Sequence, residues 1–162
     1  MIVYHGSVLE LKNPDAGHSK KYLDFGCGFY VTTYQPQAEK WALRKSMRLK
    51  APAIVNVYEF DENIPDLNIL KFENADGLWL DFVCSCRRGQ DSSAEDIIIG
   101  QVADDDIFKT VNMYAKGLWD KERTIQELRY YKKNDQIAFK NDRAIQESLH
   151  FIRSYEVKND TE

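Results

Sequence analysis

Basic charge, cysteine and long apolar runs are all scarce in this chain, and each shortage removes a class of function. Of 162 residues, 22 are Lys or Arg against 26 Asp or Glu, a formal net charge of -4. A strongly basic nucleic-acid module is thereby set aside, although a local basic patch stays open. Three cysteines cannot all pair within one chain, and their spacing outlines no disulfide framework. Free thiols in a reducing compartment are expected. No stretch approaches the roughly 18 apolar residues of a membrane span. Met1-Ile2-Val3-Tyr4-His5 lacks the basic segment and apolar run of a signal peptide, so the expected location is the cytoplasm, with no membrane partner. Internal repeats, low-complexity segments and long linkers are missing too. So are the regular crossovers and glycine-rich first turn of a doubly wound sheet.

What is present is a globular composition, 43% apolar and 30% charged, in a chain long enough to bury a core without metals or disulfides. Residues 1–157 read as one domain and 158–162 as a short polar tail. Ile2 to Tyr4 and Phe29 to Thr33 read as strands, the second from its β-branched and aromatic side chains. Ala38, Trp41, Ala42 and Lys45 share one side of a helix opened by Pro36, with the Lys45 stem over apolar surface and its ammonium in water. Ala53 to Phe60 and Leu67 to Phe72 follow as strands. Asp76 caps a helix to Arg87 with its stripe at Leu78, Trp79, Phe82, Val83 and Cys86. Asp96 to Val102 does not alternate and predicts a strand covered on both faces. Asp104 to Lys116 and Thr124 to Lys132 predict helices with stripes at Ile107, Val111, Tyr114 and at Ile125, Leu128, Tyr131. Gln136 to Phe139 (strand), Asp142 to Leu149 (helix) and Phe151 to Val157 (strand) close the chain. Uneven spacing of strands among helices favours an α+β fold on a bent or split, mainly antiparallel sheet.

Five groups of residues invite a chemical reading. Tyr4-His5-Gly6-Ser7 sets a histidine, able to donate and accept, beside a glycine that lets a ligand approach the backbone. Asp24-Phe25-Gly26-Cys27-Gly28-Phe29-Tyr30 bends tightly into an aromatic strand whose Tyr30 can stack on a flat ligand. It is no P-loop, since no Gly-Lys-Ser or Gly-Lys-Thr ending follows. Cys84-x-Cys86 lacks a second cysteine pair for a zinc site, and Cys27 lacks an assignable activating group, so both read as buried or half-buried thiols and no metal is expected. Asp104-Asp105-Asp106 reads as helix capping. Arg87-Arg88 and Lys132-Lys133 read as solvated faces.

Taken in order, Tyr4-His5-Gly6-Ser7, Phe25-Gly26-x-Gly28-Phe29-Tyr30-Val31-Thr32-Thr33, Gln37-Ala38-x-x-Trp41-Ala42, Asp96-Ile97-Ile98-Ile99-Gly100, Ala103-Asp104-Asp105 and Asp135-Gln136-Ile137-Ala138-Phe139 span most of the chain. Together they resemble the NAD-binding half of the ADP-ribosyltransferase superfamily, in its His-Tyr-Glu branch. They are similar in particular to a mostly bacterial family, domain of unknown function 3990. The resemblance implies an ADP-ribosyltransferase-like fold and NAD as the ADP-ribose donor. His5 would bind the adenosine ribose, the Gly6 backbone the nicotinamide carboxamide, and Tyr30 the nicotinamide ring. Ser7 and Thr32 match polar positions that assist dinucleotide binding, and Gly28 with Phe29 would shape the nicotinamide pocket.

The third position of that branch is a glutamate, and here it is Gln136. A neutral amide offers ribose a hydrogen bond, but gives an oxocarbenium-like centre no full negative charge and cannot serve as a general base. Losing such stabilisation costs on the order of 3–4 kcal/mol, a factor of several hundred in rate. Polymer elongation is disfavoured, and Glu127 and Glu147 read as solvated helix faces. The reading that follows is a mono-ADP-ribosyltransferase with His5, Tyr30 and Gln136 as catalytic residues and a macromolecular acceptor, protein first, with nucleic acid left open. The alternatives are a catalytically weak NAD-binding or protein-interaction domain, or an NAD glycohydrolase. A toxin role with a neutralising, antitoxin-like partner enters by family analogy only.

Overall fold

The computed structural model describes residues 1–19, 23–90, 94–131 and 134–159. In chain order the elements are β1 (Ile2–Ser7), β2 (Phe29–Val31), α1 (Gln35–Leu49), β3 (Ile54–Phe60), β4 (Ile69–Lys71), α2 (Gly77–Arg87), β5 (Ile97–Gln101), α3 (Asp105–Ala115), α4 (Lys121–Leu128), β6 (Asp135–Phe139), α5 (Asp142–Ser148) and β7 (Leu149–Glu156). They form a mixed α+β fold with two sheets, one ordered β1-β3-β7 and the other β2-β6-β5-β4. Every strand pair is antiparallel except β4 with β5, which is parallel. Among the described residues one isolated antiparallel bridge, Tyr4 with Thr32, connects the sheets.

Side-chain alternation sorts the core into layers. Val3, Tyr58, Phe60 and Leu149 from the three-stranded sheet meet Phe29, Val31, Ile97, Ile137 and Phe139 from the four-stranded one. The opposite face of the four-stranded sheet, with Ile98 and Ala138, is covered by Trp79, Leu80 and Val83 of α2, Ile107 and Val111 of α3, and Leu128 of α4. Ala38 and Ala42 of α1 cover the outer face of the three-stranded sheet at Val55 and Tyr4. Each large apolar side chain buried this way contributes about 1.5–3 kcal/mol. Ile97 and Ile98 fall in different layers, which is why β5 carries an unbroken isoleucine run and is covered on both faces, as its lack of alternation predicts.

Local chemistry sets the element ends. The Asp76 carboxylate accepts from the N–H groups of Leu78 and Trp79 at 3.1 Å each, and Asp104 caps α3 through Asp106 and Ile107 at 3.1 and 3.0 Å. With α2 capped there, its inner face runs through Trp79, Leu80, Val83, Cys84 and Cys86. Leu78, expected in the stripe, is 75% exposed. Helix α4 begins earlier than Thr124 because Asp120 caps it, accepting from Arg123 N–H at 2.8 Å, and it ends at Leu128. Strand β2 stops at Val31, two residues before the expected Thr33. Lys132 and Lys133, and residues 160–162 of the expected tail, lie outside the described residues. Among the described residues no helix is long and apolar enough to cross a membrane.

Candidate functional site

The site is built where β1 and β2 touch once and part. Tyr4 and Thr32 exchange both backbone hydrogen bonds, 2.8 and 2.9 Å. One residue on, His5 Nδ1 lies 2.6 Å from the Tyr30 carbonyl oxygen, and the imidazole stacks on Phe29 with ring centroids 4.3 Å apart. A carbonyl only accepts, so Nδ1 carries the proton and Nε2 of the neutral ring is an acceptor. Burial, with a smaller push from the Lys45 ammonium, lowers the imidazole pKa from 6.5 to about 3, against the upward pull of the Tyr30 carbonyl. The ring is therefore neutral at physiological pH.

Backbone groups of successive strand residues point to opposite sides. Those of the buried Gly6 thus point the way Tyr4's do, to the β2 side of β1. Its carbonyl accepts from Lys45 Nζ at 2.7 Å, which corrects the expected solvation of that ammonium. Lys45 follows Ala38 and Ala42 on the inner side of α1, and burial lowers its pKa. Gly6 has no alternative residue: a Cβ there would lie 2.1 Å from the Ala38 carbonyl oxygen and 2.6 Å from the Ala42 nitrogen. Ser7 is turned to its own loop, with Oγ accepting from Leu9 N–H at 3.3 Å.

The Tyr30 side chain is held by the turn before it. Its hydroxyl donates to the Gly26 carbonyl at 2.5 Å and accepts from Phe25 N–H at 3.0 Å. Gly26 has the positive φ of 77° that this turn requires. Gly28 packs on β6, where a Cβ would come 2.8 Å from the Phe139 carbonyl oxygen. Cys27 is half-buried and Cys84 and Cys86 are buried, all three as free thiols. Thr32 is fully buried, and its hydroxyl donates to Asp135 at 2.9 Å. Asp135 also accepts from the Thr33 amide and hydroxyl at 3.0 and 2.7 Å. This three-bond lock ties the end of β2 to the start of β6 and takes Thr32 out of β2.

Gln136 follows Asp135 and is 4% exposed. Its Nε2 donates to Asp24 Oδ2 at 3.0 Å and to the Gln101 carbonyl at 3.3 Å. Asp24 also accepts from Ala103 N–H at 3.0 Å and from Arg87, whose Nε lies 2.8 Å from Oδ1. Arg87, expected on a solvated face, is a half-buried ion-pair partner with a side chain 17% exposed, and its guanidinium sits 4.3 Å over the Phe108 ring. The signal was present in the sequence: Arg87 falls on the Leu80, Val83, Cys84 side of α2. Its neighbour Arg88 is exposed, as expected. The role of Asp24 had no local signal, because its partners stand 63, 79 and 112 residues away. Glu127 accepts from the Tyr131 hydroxyl at 3.3 Å and Glu147 from Arg143 at 3.1 Å, each on or beside its own helix.

Tyr30 pairs with Ala138, and Gly100 with Gln136, so the Tyr30 phenol and the Gln136 amide project from one face of the four-stranded sheet. Phe25 lies on that face, 2.9 Å from where a Gly100 Cβ would stand. The His5 imidazole is on the other face, with Phe29, and meets Tyr30 at its carbonyl rather than its ring. An open cleft of about 540 Å³ at the end of β5 is lined by Gln101, Asp76 and Arg129 among others, and not by His5 or Tyr30. Among the described residues no group of three or more His, Cys, Asp or Glu side chains is arranged to hold a metal.

A family model described as "Protein of unknown function (DUF3990)" matches residues 1–151. The chain belongs to that family. The match covers every element through α5 and the first residues of β7, so the DUF3990 resemblance carried by the short motifs extends to the whole domain core. No curated protein matches the chain.

Proposed function

We propose that residues 1–157 of this DUF3990 chain form one ADP-ribosyltransferase-like domain that binds NAD in the gap between β1 and β2 and transfers its ADP-ribose to a macromolecular acceptor, protein first. The observation that carries the reading is the parting of the two strands. They share one isolated bridge, hold His5 on the Tyr30 carbonyl at 2.6 Å, and leave the Gly6 carbonyl to the Lys45 ammonium rather than to β2. A dinucleotide has two riboses joined by a pyrophosphate, which suits polar groups on opposite sides of a gap. The acceptor nitrogen of neutral His5 can take a hydroxyl of the adenosine ribose. Gly6 can take the carboxamide once Lys45 yields its carbonyl, and Tyr30 and Gln136 flank the nicotinamide ribose from the other side.

In the reaction the bond from the ribose carbon to nicotinamide breaks, nicotinamide leaves with the electron pair, and an acceptor nucleophile bonds to the same carbon and gives up its proton. The protein supplies orientation and a water-poor setting. With a neutral amide at position 136 the charge of the transition state is poorly met, so turnover is expected to be slow. Incubation of the folded chain with labelled NAD and cell lysate tests the reading. Label on macromolecules, lost in His5→Ala and Tyr30→Ala variants that still fold, is the expected result. An NAD-binding sample that labels nothing across broad acceptors overturns it. Engagement of the Gln136 Nε2 group within the fold favours one second reading, an NAD-binding domain without transfer, and NAD binding with no release of nicotinamide would select it.

A further inference from the structure

Both hydrogen bonds of the Gln136 amide run to groups that only accept, the Asp24 carboxylate and the Gln101 carbonyl. That fixes which end of the amide is which: Nε2 faces inward, and the planar group turns Oε1 the other way. Asp24 is itself held, with Arg87 on Oδ1 and Ala103 N–H and Gln136 on Oδ2. Its two oxygens are fully subscribed by four donor bonds and cannot rotate toward a ligand without breaking the ion pair.

We propose that Asp24 is a positioning residue that locks the Gln136 amide so that Oε1 is presented as a neutral acceptor for a ribose hydroxyl, and that the same carboxylate excludes a glutamate from position 136. The ligand half of this inference rests on the NAD reading above, while the orientation half stands on the contacts alone. A glutamate at 136 would replace a donor by a carboxylate oxygen about 3.0 Å from Asp24 Oδ2, two like charges in a buried setting. The departure at position 136 is then one side of a paired arrangement: the negative charge sits one hydrogen bond further back, compensated by Arg87, and a polar arm stands in front of it.

Two double-mutant cycles on the full chain test both halves. In thermal melts near neutral pH, Gln136→Glu is expected to melt about 5–10 °C below wild type. Asp24→Asn/Gln136→Glu, which restores a donor opposite the new carboxylate and keeps one charge beside Arg87, is expected to melt above the single Gln136→Glu variant. A Gln136→Glu chain as stable as wild type, or no recovery in the double variant, overturns the lock. In NAD titrations, Asp24→Asn is expected to weaken binding several-fold in the wild-type background and to change nothing in a Gln136→Ala background, because it acts only through the amide. An equal loss in both backgrounds marks a general structural role and overturns positioning. A wild-type chain that binds no NAD overturns the ligand half together with the proposed function, and the melting cycle still decides the orientation half.

Discussion

Withdrawal of the half-buried His5 ring from water sets its charge. The folded protein keeps the imidazole neutral down to about pH 3, whereas the unfolded chain takes up the proton near 6.5. Between those values the unfolded state binds more protons, so stability falls as pH drops and is fully regained above 6.5, by up to about 1.4 kcal/mol per pH unit. His5→Gln keeps a donor for the Tyr30 carbonyl and cannot titrate. Urea unfolding between pH 6 and pH 4 should therefore show a flatter acid limb for the variant than for wild type, and parallel limbs would contradict the buried neutral ring. Tyr30→Phe removes the hydroxyl that joins Gly26 to Phe25 and leaves a buried carbonyl without its donor. A loss of about 1–3 kcal/mol in urea unfolding is expected. At this scale short motifs single out positions 5, 30 and 136; in the structure His5 meets the Tyr30 carbonyl, and Tyr30 and Gln136 share a sheet face. Sequence reading missed Asp24, whose meaning lies in contacts made across up to 112 residues, and it gave Lys45 to solvent because the Gly6 carbonyl is 39 residues away.

Helices α2, α3, α4 and α5 begin where a side chain accepts from free backbone N–H groups, and part of that was legible. Asp76, Asp104 and Pro36 mark helix starts by local chemistry alone, and the isoleucine run of β5 announces its two covered faces. Burial of Arg87 follows from helical periodicity once α2's phase is fixed by its cap. Reading the stripe from Leu78 instead sets that phase one residue too early, which leaves Leu78 inside and Arg87 out. The length of β2 could not be read locally, since its end depends on Asp135, more than a hundred residues on. Asp76→Ala should cost about 1 kcal/mol, the usual worth of a helix cap, measured by chemical denaturation. Gly6→Ala is a sterner test of the α1–β1 packing. Both nearest atoms to the new Cβ are helix backbone, which cannot swing aside, so a loss of about 3 kcal/mol or failure to fold is expected. A Gly6→Ala chain with wild-type stability would show that α1 does not sit on β1 as described.

For the whole molecule, the strands split into two sheets joined, among the described residues, by the isolated Tyr4–Thr32 bridge, so the buried Gly6 carbonyl is met by Lys45 rather than by a strand partner. Sequence pattern foresaw the mixed α+β class with mainly antiparallel pairing and left the sheet bent or split; the structure has two sheets. The pattern could not foresee that the imidazole and the phenol project from opposite faces, because that depends on the register of Tyr4 with Thr32. An NAD molecule that satisfies this arrangement has to run through the gap, with its adenosine ribose at His5 Nε2 and its nicotinamide ribose beside Tyr30 and Gln136. A crystal structure of the chain grown with NAD measures this directly. The account predicts nicotinamide riboside density between β1 and β2, with the carboxamide on the Gly6 backbone and Lys45 displaced from its carbonyl. NAD bound elsewhere on the surface, or none bound at millimolar concentration while Lys45 stays on Gly6, would contradict it.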